Sequence, residues 1–385
     1  MSEVAEVVPK ILEVIFSEVP EPFKTFNINI KLLENSRSFW SECYQIIVTS
    51  NDEKYSDKVI SPLFVKIPRI SAVNAAVDPG NDEENAAILR SLTAREVIFY
   101  KDFKNIQFPG FPIPRFYYGE SLENEPMAGL VCEDFSGIGS SIDFVPGFNQ
   151  DQTLQLMESL GQFHAKTIQI SGDIPWEKYP NDLYDQEYMK MLYNDTLDFE
   201  NLCPEKLSGR IQAVKHAFDE DSVEKNDQLN IQLGMPFVIC HNDLNTSNIL
   251  WNKETGKIQA FIDFQHISKG AVTFDILRII SLGLTSKDRK ENTEKYLHHY
   301  YETFKKNFNA NSIPFSFEQL QKSYSAHFNF VNATSLFSLY YYYKMYKDTT
   351  LDQDEDPAEK EEKAEEILNR AIGILDDIIQ FSRKN

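Results

Sequence analysis

A cluster of polar residues between two apolar segments has the types and spacing that phosphoryl transfer requires. His241, Asp243 and Asn248 form an H-x-D-x-x-x-x-N array, and Asp263 follows twenty positions after Asp243 in I-D-F-Q. In phosphoryl transfer one carboxylate orients the attacking alcohol and accepts its proton, while an amide oxygen and a second carboxylate hold magnesium. Asp243 is the candidate for the first task, and Asn248 and Asp263 are the candidates for the second.

The segments that flank this array predict how the polar residues are positioned. Val238 and Ile239 precede the array, and A-F-I at 260–262 precedes Asp263. Apolar runs this short are typical of buried strands, so we expect two strands that present polar side chains at their ends. The alternative is an Asx-rich surface turn followed by an unrelated strand. We expect His241 to brace the loop by hydrogen bonding rather than to transfer protons.

A lysine inside an apolar strand supplies a second candidate group. Lys66 lies in L-F-V-K-I-P, and Glu96 lies among apolar neighbours in T-A-R-E-V-I-F-Y, which is predicted to be helical. A lysine that contacts the α- and β-phosphates of ATP pairs with an acid on a neighbouring helix, and Glu96 fits that role. The alternatives are an edge-strand lysine directed to water and a solvated helix glutamate.

The pattern of elements changes along the chain, whose 385 residues are enough for two lobes. Residues 4–17 are predicted to form an amphipathic helix, and strand-like segments follow between 26 and 67. A loop is expected at 69–91, a helix at 92–105 and a strand at 127–132. Further helices are expected at about 150–168, 183–200, 205–220, 273–283, 287–308, 317–347 and 357–383. We therefore predict an α+β protein.

Seven motifs, in order along the chain, resemble those of the choline/aminoglycoside phosphotransferase superfamily. They are L-F-V-K-I-P, E-V-I-F-Y, L-V-C-E-D, L-G-Q-F-H-A, H-N-D-L-N-T-S-N-I-L, I-D-F-Q and T-F-D-I-L-R. Specifically, they resemble the ecdysteroid-kinase-like (CHK kinase-like) branch, which is common in insects and nematodes. Gln265 stands where protein kinases carry the glycine of D-F-G, which favours this branch over a protein kinase. Asp275 matches a family aspartate that supports the catalytic loop.

This resemblance implies a bilobal protein-kinase-like fold, with a small, mainly β N-lobe at 1–132 and a larger, mainly α C-lobe at 133–385. It implies transfer of the γ-phosphate of ATP to a hydroxyl of a small molecule of the steroid-like, glycoside or amino-alcohol class. Asp243 would be the base, and Asn248 and Asp263 would bind Mg²⁺. Backbone groups around Cys132 and Glu133 would bind adenine.

The segment expected to cover the phosphates departs from the family pattern. It lies at 34–43, and the first glycine of the chain, Gly80, comes much later. A glycine-rich loop lets backbone N–H groups approach phosphates closely. The hydroxyl and bulky side chains found here instead are Ser36, Ser38, Ser41, Phe39 and Trp40. This departure leaves an alternative open, a non-catalytic pseudokinase that keeps the fold and binds a ligand.

The predicted helix at 317–347 carries many aromatic residues at helical spacing. Core packing is the default explanation for such a pattern. The alternative is that His327, Phe330 or Tyr341 lines an apolar pocket for the acceptor. His164, on the predicted helix at 150–168, is expected to be structural.

Composition and charge argue against a nucleic-acid partner, a cysteine-based metal site and a membrane location. The formal net charge of −21 argues against a nucleic-acid partner, because phosphate binding needs a concentrated basic patch. Part of the negative charge lies in the run at 352–366, which is typical of a solvated face. The four cysteines have no metal-ligand spacing, and the acidic N-terminus does not resemble a secretory signal. The apolar run at 276–284 is too short to span a bilayer. We therefore expect a cytoplasmic protein with no membrane partner, and its oligomeric state stays open.

Overall fold

A computed structural model of the chain describes most of its residues, which fold into two compact units. The described residues are 10–14, 26–33, 41–50, 62–69, 82–122, 128–182, 186–219, 222–309, 312–347 and 356–382. The first unit comprises Met1–Gln107, Pro112–Ser140 and Leu250–Ile267; the second comprises Phe108–Phe111, Ser141–Ile249 and Ser268–Asn385. The division into lobes at residue 132 stays a prediction, and the two units alternate along the chain.

Five antiparallel strands form the main sheet of the first unit, in the order β1-β2-β3-β5-β4. They are β1 Phe26–Leu32, β2 Ser41–Ser50, β3 Leu63–Pro68, β4 Phe116–Glu120 and β5 Gly129–Glu133. A second sheet joins β6 Gly139–Ser140, β8 Ile249–Asn252 and β9 Ile258–Phe261 in the order β6-β8-β9.

The central strand β3 places its core residues and Lys66 on opposite faces of the sheet. Leu63, Val65 and Ile67 belong to the hydrophobic core of the first unit. Because successive side chains of a strand point to opposite faces, Lys66 lies on the other face of the sheet. It is nevertheless buried, with 7% of its surface exposed. A buried ammonium group is stable only when acidic partners surround it.

Helix α1, Asp82–Phe103, provides those partners and begins ten residues before the predicted helix at 92–105. The loop predicted at 69–91 is therefore wrong for residues 82–91. Ala86, Leu89 and Leu92 recur at three-residue spacing and are all buried, so this apolar stripe extends the helix toward its N-terminus. Residues 70–81 of the predicted loop lie outside the described residues.

The second unit is mainly helical. Its helices are α2 Gln150–Gln169, α3 Gln186–Leu202, α4 Pro204–Leu207, α5 Arg210–Ala213, α6 Ser222–Gln232, α7 Thr273–Gly283, α8 Ser286–Lys305, α9 Phe317–Lys347 and α10 Pro357–Ser382. Two short strands, β7 Phe237–Cys240 and β10 Ser268–Ala271, pair antiparallel. The helix predicted at 205–220 is interrupted at Gly209, which adopts a left-handed conformation with φ of 73°. The predicted α+β class, with strands in the N-terminal part and helices in the C-terminal part, is confirmed.

Helix α7 is buried on every side, which is unusual for a helix that carries charges. All its residues from Thr273 to Gly283 are buried, including Asp275 and Arg278. Charged groups at such positions require hydrogen-bonded or ionic partners.

Among the described helices, none combines the length and apolar character needed to cross a membrane.

Candidate active site

Three of the predicted site residues meet in the first unit around one ammonium group. Lys66 Nζ lies 2.9 Å from Glu96 Oε2 and 2.8 Å from Asp263 Oδ1. Lys66 comes from β3, Glu96 from α1, and Asp263 from the turn after β9. The predicted Lys66–Glu96 ion pair is therefore present, and Asp263 contacts the same lysine.

Burial and ion pairing shift the pKa values of Lys66 and Glu96 in opposite directions. Burial alone would lower the pKa of Lys66, but the carboxylates of Asp263 and Glu96 outweigh burial and raise that pKa. Burial, together with the negative charge of Asp263, raises the pKa of Glu96 against the attraction of Lys66. The Asp263 side chain is 35% exposed, whereas those of Lys66 and Glu96 are 9% and 4% exposed. The lysine is thus a fixed cation whose more accessible partner is Asp263.

The turn that carries Asp263 is held in place by α1. Asp263 adopts a left-handed backbone conformation with φ of 66°, which is uncommon for a residue other than glycine. The N–H of Phe264 donates to Glu96 Oε1 at 3.1 Å, and the Phe264 ring stacks on Phe99 at 4.2 Å between centroids. Glu96 therefore orients both Lys66 and the backbone beside Asp263. Unusual backbone conformations of this kind persist only where surrounding contacts enforce them.

In the second unit, Asp275 fixes the start of the loop that follows β7. The backbone N–H groups of His241 and Asn242 donate to its carboxylate at 2.8 and 2.7 Å. Asn242 is left-handed, with φ of 62°, and its side-chain amide donates to Ser268 Oγ at 2.9 Å. The contact expected of Asp275 from the family resemblance is present. β7 is buried and ends immediately before His241, as the sequence predicted.

The carboxylate of Asp243 accepts three side-chain hydrogen bonds within the second unit. Its Oδ1 accepts from Arg278 Nη2 at 3.2 Å and from Asn245 Nδ2 at 3.1 Å. Its Oδ2 accepts from Asn248 Nδ2 at 2.8 Å, and the same amide donates to the Asp243 carbonyl at 2.8 Å. The Asp243 side chain remains 20% exposed. The predicted base is thus rigidly oriented and still accessible.

The two histidines within the recognised motifs, His241 and His164, have structural contacts. His241 is fully buried, and its Nδ1 accepts the N–H of Asp243 at 3.3 Å, which is the bracing contact expected. His164 is fully buried, with Nδ1 2.9 Å from the Tyr300 hydroxyl and Nε2 3.8 Å from Asp275 Oδ2.

Cys132 and Glu133 occupy the end of β5 in the first unit. Cys132 is buried, and burial raises the pKa of its thiol. Glu133 is exposed, and its backbone N–H donates to the Arg115 carbonyl at 2.9 Å. That N–H is already engaged, and the role of both residues in binding adenine stays a prediction.

The three aromatic candidates for an acceptor pocket lie on α9. His327 is fully buried, with Nδ1 3.0 Å from Thr273 Oγ1 and Nε2 3.3 Å from the Asn226 carbonyl. Phe330 is buried against Phe274, and Tyr341 is half-buried. For His327 and Phe330 these contacts favour core packing, which was the default expectation.

The phosphate-covering segment predicted at 34–43 falls mostly outside the described residues. Ser36, Ser38, Phe39 and Trp40 lie there, and only its last three residues are described. Of these, Ser41 is buried at the start of β2.

The part of the chain that the structure describes contains no group of three or more His, Cys, Asp or Glu side chains able to hold a metal.

Two residues around Asp243 were not predicted as part of the site. Asn245 is one of several polar residues in its loop, and nothing in the sequence singles it out. Arg278 did carry a signal, because it interrupts the apolar run at 276–284. An arginine within such a run must find a polar partner, but the sequence does not identify it as Asp243.

Comparison with known proteins places the chain in a family. A family model described as "DUF1679: Uncharacterized oxidoreductase dhs-27" matches residues 58–385. "Uncharacterized kinase-like protein D1044.1" of Caenorhabditis elegans is 68% identical over 378 residues, which are 98% of this chain and 100% of the relative. Mouse ethanolamine kinase 1 is 41% identical over 49 residues, 13% of each chain.

Among solved structures, an ethanolamine kinase of Plasmodium vivax is similar, with 14% sequence identity and a TM-score of 0.46. The match covers 98% of this chain and 90% of that one. From the family model that matches residues 58–385, we conclude that the chain belongs to the DUF1679 family.

Proposed function

We propose that the protein is an ATP- and Mg²⁺-dependent phosphotransferase that transfers the γ-phosphate to a hydroxyl of a small molecule. The observation that carries this proposal is the Lys66 ammonium held at 2.9 Å from Glu96 and 2.8 Å from Asp263. These residues are far apart in sequence, and the kinase motifs predicted all three. The nematode relative, which is named kinase-like, supports the same assignment.

In this proposal Lys66 binds the α- and β-phosphates of ATP, and Glu96 keeps its side chain in position. The pKa of Lys66 is raised by its two carboxylate partners, so the side chain stays cationic throughout the physiological pH range. Backbone groups near Cys132 and Glu133 would bind adenine.

Asp243 is the proposed catalytic carboxylate. It would accept the hydrogen bond of the acceptor hydroxyl, orient the oxygen toward the γ-phosphate and take up the proton. Hydrogen bonds from Arg278, Asn245 and Asn248 hold its side chain in one orientation. A base that is already oriented loses little entropy when the acceptor binds.

Asn248 and Asp263 are the proposed Mg²⁺ ligands, on the basis of the sequence array and the family resemblance. Their donor types fit the ion, which prefers one or two protein oxygens alongside phosphate and water oxygens. The amide of Asn248 must present its NH₂ to Asp243, because carboxylate and carbonyl oxygens only accept hydrogen bonds. Its carbonyl oxygen is therefore directed elsewhere. Bound Mg²⁺ would neutralise charge on the transferred phosphate.

The proposal also includes a class of acceptor and a cellular location. The motifs are most similar to the ecdysteroid-kinase-like branch, which suggests a steroid-like, glycoside or amino-alcohol acceptor and a cytoplasmic protein. The family description instead names an oxidoreductase. The sequence contains no G-x-G-x-x-G fingerprint for a dinucleotide, and the ion-pair cluster around Lys66 is the arrangement that phosphate binding uses. The residues on which the pseudokinase alternative depends, Phe39 and Trp40, lie outside the described residues.

The proposal is tested by calorimetric titration of ATP, with and without magnesium, into the wild type, Asp263→Asn and Glu120→Gln. Glu120 pairs with Lys101 on the surface of the first unit and is the matched control. We expect magnesium-dependent binding in the wild type and in the control, and its loss in Asp263→Asn. Failure of the wild type to bind millimolar ATP, or binding that needs neither magnesium nor Asp263, would overturn the proposal.

A further inference from the structure

Arg278 forms an ion pair with the proposed catalytic carboxylate within the second unit. It lies on the buried helix α7, and its Nη2 is 3.2 Å from Asp243 Oδ1. The side chains of Arg278 and Asp243 are 10% and 20% exposed, so their contact is only partly accessible to water. An ion pair in such surroundings is screened less than one on the surface.

The guanidinium is held from the opposite side by hydroxyl groups of α9. Nη2 donates to Ser338 Oγ at 2.9 Å, and Nη1 lies 3.4 Å from Thr334 Oγ1 and 3.5 Å from Ser335 Oγ. Its Nε has no hydrogen-bond partner among the described residues. Because these hydroxyls are neutral, they position the positive charge without cancelling it. Arg278 is therefore directed at Asp243 by the helix packing of the second unit.

The hydrogen bonds to Asp243 leave one of its oxygens with spare capacity. Each carboxylate oxygen accepts about two hydrogen bonds. Arg278 and Asn245 fill Oδ1, and Asn245 is itself fixed because its Oδ1 accepts the N–H of Ser247 at 2.9 Å. Oδ2 accepts only Asn248 among the described residues. The acceptor hydroxyl therefore has a defined place, at Oδ2.

Arg278 also changes the charge that an acceptor meets. Asp243 alone would attract a cation, but its pair with Arg278 carries no net charge. Asp275 adds a carboxylate nearby, yet it is fully buried and binds the backbone N–H groups of His241 and Asn242. An ammonium group one or two carbons from the reacting hydroxyl would lie within a few ångströms of the guanidinium, where like charges repel.

We propose that Arg278 selects acceptors that carry no cationic group beside the reacting hydroxyl. This inference rests on the proposed function and removes amino alcohols from its three acceptor classes. In the step concerned, the acceptor oxygen forms a bond to the γ-phosphorus, and the bond between that phosphorus and the bridging oxygen of ADP breaks. The hydroxyl proton passes to Asp243 Oδ2, and ADP leaves with the bond electrons.

Matched acceptor pairs, each with one cationic and one neutral member, provide the test. One pair is choline and its carbon isostere, in which a tert-butyl group replaces the trimethylammonium; the other is glucosamine and glucose. Phosphorylated product is measured by mass spectrometry, and kcat/KM is determined for each acceptor. In the wild type we expect a neutral alcohol to be favoured over its cationic counterpart by about tenfold or more.

Variants of Arg278 separate the effect of charge from the effect of shape. Arg278→Gln removes the charge and is expected to bring the ratio of neutral to cationic acceptor close to one, or to reverse it. Arg278→Lys keeps the charge and is expected to retain the preference with a lower kcat. Ser338→Ala removes one hydroxyl that holds the guanidinium and should weaken the preference less than Arg278→Gln. If Arg278→Gln fails to fold, the inference is still tested by the wild-type ratio of kcat/KM for neutral and cationic acceptors and by Arg278→Lys.

The outcomes distinguish this inference from the proposed function. Equal use of both members of each pair by the wild type, or an unchanged ratio in folded Arg278→Gln, overturns the inference alone. Magnesium-dependent ATP binding without transfer to any of the four alcohols also overturns it, because it requires a measurable preference. Absence of ATP binding overturns the proposed function, and the inference with it.

Discussion

The side-chain amide of Asn248 donates twice to Asp243, to its carbonyl oxygen and to Oδ2, both at 2.8 Å. Both acceptors lack protons when Asp243 is ionised, so the NH₂ group of Asn248 must face them. One contact therefore orients the proposed catalytic carboxylate and directs the amide oxygen of a proposed metal ligand. Removal of the Asn248 amide is therefore expected to disturb both tasks.

Asp243→Asn should abolish phosphotransfer and leave ATP binding largely intact. An amide at this position cannot accept the hydroxyl proton, and we expect kcat to fall by roughly 10²- to 10⁴-fold. Rates of ADP formation with a phosphorylatable alcohol, together with ATP calorimetry, provide the measurement. Asp151→Asn, an exposed acid on α2, is the control and should retain the wild-type rate. Near-normal turnover by Asp243→Asn would refute Asp243 as the base.

Removal of the Lys66 charge should destabilise the first unit more than removal of the whole Lys66–Glu96 pair. Lys66→Met leaves Glu96 buried without its cation and beside Asp263, which typically costs about 3–5 kcal/mol of unfolding free energy. In Lys66→Met/Glu96→Gln the uncompensated charge on Glu96 is gone, so part of that loss should be recovered. Urea unfolding of the three proteins measures the difference.

The control for this cycle is the exposed pair Lys101–Glu120, whose side chains are 45% and 32% exposed. Lys101→Met should cost less than about 1 kcal/mol, because water screens the remaining carboxylate. If the double variant at Lys66 and Glu96 is less stable than Lys66→Met alone, burial of an unpaired Glu96 charge does not explain the effect. Both Lys66 variants should also lose ATP affinity.

The residues that the sequence predicts most directly are those whose type conflicts with their surroundings. Lys66 lies in an apolar strand and Glu96 in an apolar helix, and each needs the opposite charge nearby, so the pairing could be inferred without coordinates. The array around Asp243 was recognisable because its spacing is set by a single loop. In these cases the position of the site residues follows from the spacing within one loop or from the need of a buried charge for an opposite charge.

Other features depend on packing that the sequence does not specify. Arg278 is visibly out of place in its apolar run, but four polar groups from two parts of the chain contact it, and no spacing rule links them. The sequence does not predict the start of α1, because the polar residues before Leu92 resemble a loop, although Ala86 and Leu89 are buried. The interruption at Gly209 follows from one left-handed residue within a helical pattern.

Asp275→Asn should reduce both stability and turnover. The carboxylate accepts the N–H groups of His241 and Asn242, whereas an asparagine presents one NH₂ group that cannot accept either. Leaving a buried N–H unpaired costs about 1–3 kcal/mol, and a displaced loop should lower kcat by roughly 10²-fold. Urea unfolding and steady-state rates measure the two effects.

Glu200→Gln is the matched control for Asp275→Asn. Glu200 accepts the backbone N–H of Gly209 on Oε2 at 3.1 Å and those of Ile211 and Gln212 on Oε1 at 2.5 and 3.1 Å, and it plays no part in the proposed site. We expect a comparable loss of stability with an unchanged kcat. A fall in kcat of similar size in both variants would show that Asp275 acts only through global stability.

His327 should make the protein less stable as the pH falls below neutrality. Burial lowers the pKa of His327 from 6.5 to about 4, so between these pH values the unfolded chain binds a proton that the folded chain does not. The unfolding free energy should therefore decrease by at most about 3 kcal/mol from this residue as the pH falls from 6.5 to 4. Urea unfolding at several pH values should show a shallower pH dependence in His327→Gln than in the wild type. His298→Gln, at an exposed histidine of α8, should keep the wild-type slope, and equal slopes in all three proteins would contradict the assignment.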